Sequence, residues 1–224
     1  MKKVFIFLCF GLLLTAGPSI NEKDITKEKG KLYYNGVVLN GEYTIVFAKP
    51  AKMKWESVLS DLNIEYEIYK VSNDFKNGKE SGEIRAYGQN DELLFINNKK
   101  ENGYLAKEFY YNGNIIEKLS RKDKNALEEF FSRTSGKLVE GPYELYYPGG
   151  KIKESGTLKI VGLSIPEYSI SSSRKNGTVK RYYENGSLKE IITFKDGLRE
   201  GSSSYYNENG TLAGTDKYVK GLKQ

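Results

Sequence analysis

Hydrophobic and polar residues along this chain fall into short runs, and each run stops at a turn that carries glycine. The last two runs show the beat most plainly: GTVKRYYENGSLKEIITFKDGLRE over 177–200 and GSSSYYNENGTLAGTDKYVKGLKQ over 201–224. With the glycine that opens each unit as position zero, the units start at Gly41, Gly82, Gly103, Gly141, Gly177 and Gly201. The last two starts lie 24 residues apart, a period in the range of stacked repeats. Position five holds Tyr87, Tyr146, Tyr182 and Tyr206, with Val46 in the first unit, and position eleven holds Leu93, Ile152, Leu188 and Leu212. In the two most regular units position seventeen holds Phe194 and Tyr218. The Gly103 unit carries one extra residue, so that Tyr110-Tyr111 precede Asn112-Gly113 and Ile115.

Within each unit the two arms meet at a turn. These are Glu184-Asn185-Gly186, Glu208-Asn209-Gly210, Tyr111-Asn112-Gly113, Pro148-Gly149-Gly150 and a degraded Asn90-Asp91-Glu92. Asn-Gly between apolar stretches predicts a β-hairpin, because both residues tolerate positive φ and the resulting turn matches strand twist. A second phrase links units: Phe75-Lys76-Asn77-Gly78 leads to Gly82, and Phe194-Lys195-Asp196-Gly197 leads to Gly201. Tyr218-Val219-Lys220-Gly221 opens the same phrase again. A single hairpin buries too little apolar area to offset the entropy of ordering it, so the units must stack. Stacking predicts interior ladders built from the tyrosines at position five and the aliphatic residues at position eleven.

The pattern G-x-x-x-x-Y-Y-x-N-G-x-L, followed by Y/F-K-x-G-x-x-x-G, resembles the MORN repeat family, and more closely its bacterial variant found in proteins labelled YwqK-type antitoxins. The residues that carry it are Gly82, Tyr87 and Leu93; Gly141, Tyr146 and Ile152; Gly177, Tyr182, Asn185, Gly186 and Leu188; and Gly201, Tyr206, Asn209, Gly210 and Leu212. The resemblance implies an all-β fold, an elongated twisted antiparallel sheet of stacked hairpins. It also implies scaffolding, protein association or contact with membrane lipids, and it brings no catalytic residue and no cofactor. The antitoxin label implies a protein partner and a neutralising role.

Three stretches depart from the pattern: 51–71, 117–134 and a shorter one over 161–173. A short helix is expected near 122–132, with Leu127, Phe130 and Phe131 on one side, while 52–62 fit either helix or strand. The expected organisation is a signal segment over 1–17, repeats over 30–117 with the insertion 51–71, a helical insertion over 118–135, and repeats over 136–224.

Composition adds a location. Lys2 and Lys3 precede an apolar run from Val4 to Leu14, with small residues from Thr15 to Ser19, the layout of a secretory signal. The run is too short to span a bilayer, and an uncleaved N-terminal anchor is the alternative. Bulky Phe7 and Leu8 before Cys9 argue against lipid attachment at that cysteine. Cleavage would leave a chain without cysteine, and would lower the formal charge from +6 to +4. Its charges are mixed in sign, as on a solvated surface, where a nucleic-acid site would show a basic stripe.

Catalytic vocabulary is sparse. The chain has no histidine, which removes Ser-His-Asp triads, histidine bases and most zinc sites, and it has no P-loop. Carboxylates remain. Glu184 and Glu208 recur once per unit, as turn residues do, and Asp123, Glu128 and Glu129 fall on the expected helix. No catalytic, cofactor or metal residue is assigned.

The second tyrosines of the pairs, Tyr147 and Tyr183, are expected on the opposite sheet face from the first. With Lys180 and Lys189, and with Arg181 close by, they form a candidate contact surface, since tyrosine favours half-wet interfaces. The functional expectation is an exported, non-enzymatic module that binds or scaffolds a protein partner. Two rivals stand beside it: a peripheral module for anionic lipid or polysaccharide, and a carboxylate-dependent envelope hydrolase.

Overall fold

A computed structural model describes residues 17–57, 59–122, 139–165 and 168–224. Apart from Gly17, the expected signal segment lies outside them, as does the expected helix beyond Lys122. Three short strands open the chain after β1 (Ser19–Asn21): β2 (Ile25–Glu28), β3 (Lys31–Tyr34) and β4 (Val37–Val38). Long hairpin strands follow: β5 (Gly41–Glu56), β6 (Asn63–Lys76), β7 (Lys79–Tyr87), β8 (Leu93–Glu101), β9 (Tyr104–Tyr111) and β10 (Asn114–Lys122). The C-terminal half contributes β11 (Val139–Tyr146), β12 (Ile152–Ile165), β13 (Tyr168–Tyr182), β14 (Leu188–Lys195), β15 (Leu198–Tyr206), β16 (Leu212–Val219) and β17 (Leu222–Lys223). From β5 to β17 each strand pairs with its sequence neighbour, giving one long antiparallel sheet of successive hairpins. Of residues 52–62, ambiguous in sequence, 52–56 belong to strand β5, while 57 and 59–62 lie in the connection to β6 at the end of one long hairpin.

The turns are of two kinds, which corrects the single turn expected from Asn-Gly. In the linking phrases both residues have positive φ, as at Asn77 and Gly78 (52° and 73°) and at Asp196 and Gly197 (51° and 88°). These are the two-residue turns that match strand twist. Inside the regular units only the glycine is left-handed, Gly186 at 95° and Gly210 at 84°. There Gly186 N–H donates to the Tyr183 carbonyl at 2.9 Å, and the Asn185 side chain accepts from Ser187 N–H at 2.8 Å. The extra turn residue, Glu184, makes a longer loop that ends in a left-handed glycine. Asn112-Gly113 lacks that residue and reverts to the two-residue form, with φ of 50° and 74°.

The burial pattern departs from the expected ladders. Positions five and eleven pair with each other as the last rung before each turn, Tyr182 with Leu188 and Tyr206 with Leu212. That rung sits at the hairpin end, so the tyrosines are half-buried while Leu212 is 57 % exposed. Mid-strand positions are the covered ones: Tyr143, Val179 and Ser203, two residues after their opening glycines, together with Ile192. Gly156 lies in this layer, where a Cβ would stand 2.9 Å from Val179 Cγ2 and 3.0 Å from Tyr143 Cε1.

One cross-strand row runs along the covered face. It passes from Ala86 through Phe95, Phe109, Glu117, Leu145, Glu154, Arg181 and Glu190 to Tyr205. Directly opposed residues share a face, so this line is one continuous stripe. Its cover over the middle strands comes from the chain itself. The β5–β6 register breaks between Val46 and Ala51, and Pro50 inside the break has no N–H to give the ladder. Beyond it, residues 51–57 and 59–68 form an arm across the stripe. Trp55 stacks on Phe109 with ring centroids 4.5 Å apart, although β5 and β9 are not sheet neighbours. Tyr66 donates to the Tyr110 carbonyl at 2.9 Å, and Leu59 packs on Tyr143, Leu145 and Leu158.

The two ends of the sheet differ. At the N-terminal end β1 lies parallel to β5, and the small β2–β3–β4 sheet packs Leu32 and Leu39 around Phe75 and Ile20. Gly78 joins the sheets: its N–H donates to the Leu39 carbonyl at 2.8 Å, and its carbonyl accepts from Leu32 N–H at 2.7 Å. At the other end β17 pairs with β16 only at Tyr218 and Val219.

Candidate functional site

Beyond the reach of the arm, the stripe turns from apolar to ionic. Glu154 accepts from Lys175, from Arg181 Nε at 2.6 Å and from the Tyr143 hydroxyl at 2.6 Å. Arg181 continues to Glu190 at 2.9 Å, and Arg199 reaches Glu190 at 3.3 Å. The Arg199 guanidinium then donates to the hydroxyls of Tyr205 and Tyr218, each at 3.2 Å. Burial alone would raise the Glu154 pKa, yet hydrogen bonds from Lys175, Tyr143 and Arg181 hold it below the usual carboxylate range. Burial and the bond to Glu154 together raise the Tyr143 hydroxyl. Each of these acids is neutralised by a neighbour, as buried charges must be, and among the described residues no group of three His, Cys, Asp or Glu is placed to hold a metal ion.

A second cluster occupies the opposite face. Glu108, 2 % exposed, accepts from Lys99 at 2.9 Å and from the Tyr110 hydroxyl at 2.7 Å, while Lys118 bonds Glu101 at 2.5 Å. It too is paired internally.

Glu117 is the exception. It is 0 % exposed, its Oε2 accepts from the Ser57 hydroxyl, and its Oε1 has no partner. Ser57 Oγ also accepts from Leu59 N–H at 3.1 Å and Ser60 N–H at 3.0 Å, so this serine ties the arm tip to the sheet. Burial pushes the Glu117 carboxyl up to about 6, against the lowering effect of the Ser57 bond.

Beside this tie lies a groove of about 760 Å³. The arm tip forms one wall with Leu62 and Ile64. The ends of β9 to β11 form the other with Tyr111, Ile116 and Leu145, and Tyr147 and Lys153 stand at its rim. The groove marks a break in a regular feature. Tyr147 donates to the Tyr182 carbonyl at 2.8 Å, and Tyr183 to the Tyr206 carbonyl at 2.8 Å, so each second tyrosine hooks onto the next hairpin. Tyr111 is the corresponding residue, and among the described residues its hydroxyl makes no such bond; it is 52 % exposed.

The candidate contact residues are therefore distributed. Lys189 lies over the Tyr183 ring at 5.1 Å and Lys153 over the Tyr147 ring at 5.8 Å. Lys180 is exposed between Ser155 and Ile191, on the face opposite Arg181 by strand alternation. Arg181 belongs to the ionic stripe. The turn acids Glu184 and Glu208 are exposed. Sequence reasoning missed Glu117, Glu154 and Glu190. Their recurrence two residues after the aliphatic residue that follows each turn (Ile115, Ile152 and Leu188) in three successive units was a visible signal, but an acid on a strand reads as solvated until its partners are known.

Three stretches, residues 105–123, 139–159 and 175–196, match the family model described as MORN repeat variant. They cover β9–β10, the β11–β12 hairpin as far as Lys159, and the adjoining parts of β13 and β14. No curated protein and no solved structure matches the chain. The sheet of hairpins described above thus contains three successive repeats similar to the MORN repeat variant.

Proposed function

We propose that this chain is an exported, non-enzymatic repeat module that binds and holds a protein partner. The three MORN-variant matches support a binding or scaffold role. The observation that carries the reading is the use of its chemical groups: the stripe acids, apart from Glu117, are neutralised by the chain's own lysines and arginines. What stays open is a groove with apolar walls between the arm and the hairpin ends. Buried, neutralised carboxylates rigidify a scaffold; they offer no proton donor or nucleophile to a substrate. An antitoxin-like neutralising role is one form such binding would take.

A second reading, adhesion to anionic lipid or polysaccharide, is favoured by the repeated lysine–tyrosine pairs at Tyr147 and Tyr183. Salt separates the two. Capture from the native envelope, washed at low and high ionic strength, should retain one protein at high salt that binds the purified chain in a defined ratio. Retention of lipid or glycan alone, lost at high salt as electrostatic adhesion requires, would replace the first reading with the second.

A further inference from the structure

We infer that the groove beneath the arm tip is a peptide-binding site, which takes a large apolar side chain of a partner together with a neighbouring carboxylate. This rests on the protein-binding reading and gives it a location and a chemistry. A volume of about 760 Å³ lies within the usual range for ligand sites. Its walls come from Leu62 and Ile64 on the arm and from Tyr111 and Ile116 on the sheet. Tyr111 is the one second tyrosine of the three that does not hook onto a neighbour, so its ring is open to a ligand at the place where its equivalents close the gap between hairpins.

Charge selects the second element. Two charged side chains line the groove, Glu65 and Lys153. Glu65 is matched by Lys52 at 3.2 Å, whereas Lys153 has no carboxylate partner among the described residues and lies only over the Tyr147 ring. A bound acid would supply the missing counter-charge at the groove mouth. Ser60 also lines the groove, although its Oγ is buried within the wall. An apolar chain alone would leave Lys153 unanswered, which favours a peptide that carries a carboxylate over a simple hydrocarbon.

The test is selection of a random-peptide phage library on the immobilised full chain, repeated with Leu62→Arg and Lys153→Glu. Both residues are exposed, so each variant should keep the wild-type circular dichroism and melting profile. Wild type should enrich peptides that pair a large apolar residue with Asp or Glu. Leu62→Arg should weaken a selected peptide by about tenfold or more, and Lys153→Glu should shift selection toward Lys and Arg. Enrichment that ignores both substitutions would place peptide binding elsewhere, sinking the groove but sparing the protein-binding reading. No enrichment, with oleate bound by wild type and lost in Leu62→Arg, would overturn the peptide in favour of a lipid occupant.

Discussion

Glu117 and Glu154 occupy one stripe, two strands apart, and the chain treats them in opposite ways. Glu154 meets two cations and a phenol, so its ionised form is favoured. The stability it confers is present above the ordinary carboxylate pKa and is lost as pH falls through its lowered value. Glu117 meets one hydroxyl inside an apolar cover, and its pKa moves from 4.5 to about 6. Below the unfolded value its carboxyl is neutral in both states; as pH rises through about 6 the folded chain loses roughly 2 kcal/mol to the buried charge. Glu117→Gln should therefore raise the urea midpoint at about pH 8 and leave it little changed at about pH 5. A wild-type midpoint equal at the two values would contradict the burial of that charge. Neither contrast was legible in the sequence, where both residues are single acids on predicted strands. Only the neighbours, Ser57 from the arm and Arg181 from the next hairpin, separate them.

At the level of the hairpin, turn chemistry decides register. A three-residue loop with a left-handed glycine sets the regular units, and a two-residue turn sets the links between them. At Gly186 a Cβ would meet nothing within 4 Å, so the cost of a side chain there is conformational. Gly186→Val should destabilise by about 1–2 kcal/mol, since a β-branched residue is forced into positive φ. The tyrosine hooks make a sharper comparison. Tyr183→Phe removes a bond to the next hairpin's Tyr206 carbonyl and should cost about 1 kcal/mol. Tyr111→Phe, which removes no such bond, should be close to neutral. Equal losses in urea titrations of the two variants would show that the hook contributes nothing between hairpins.

Across the whole molecule, the repeats build a sheet and the departures from the repeat cover it. The arm over 51–68 looked like an interruption of the pattern, yet it places Trp55 on Phe109 and Leu59 against Leu145. Phe109→Ala should cost about 3–5 kcal/mol through the cavity it leaves. Because Trp55 is the only tryptophan, the same variant should shift the emission of the folded chain to the red as the indole meets water. An unshifted spectrum would mean that the arm does not rest on the sheet in solution.

The sequence by itself determined the unit and its count along the chain. Glycine and asparagine at fixed offsets encode turns through local backbone sterics, and a strand pattern between them leaves a hairpin as the unit, so Gly177–Lys195 and Gly201–Val219 were readable without any partner. Which face is covered, which acids are buried and where a groove remains are settled only by tertiary structure. Those properties arise from contacts between residues far apart in the chain, such as Ser57 with Glu117 or Trp55 with Phe109. The break at Val46–Ala51 carries a local mark in Pro50, but that proline does not say where the arm goes, because the reward for folding back is the apolar stripe it covers several strands away.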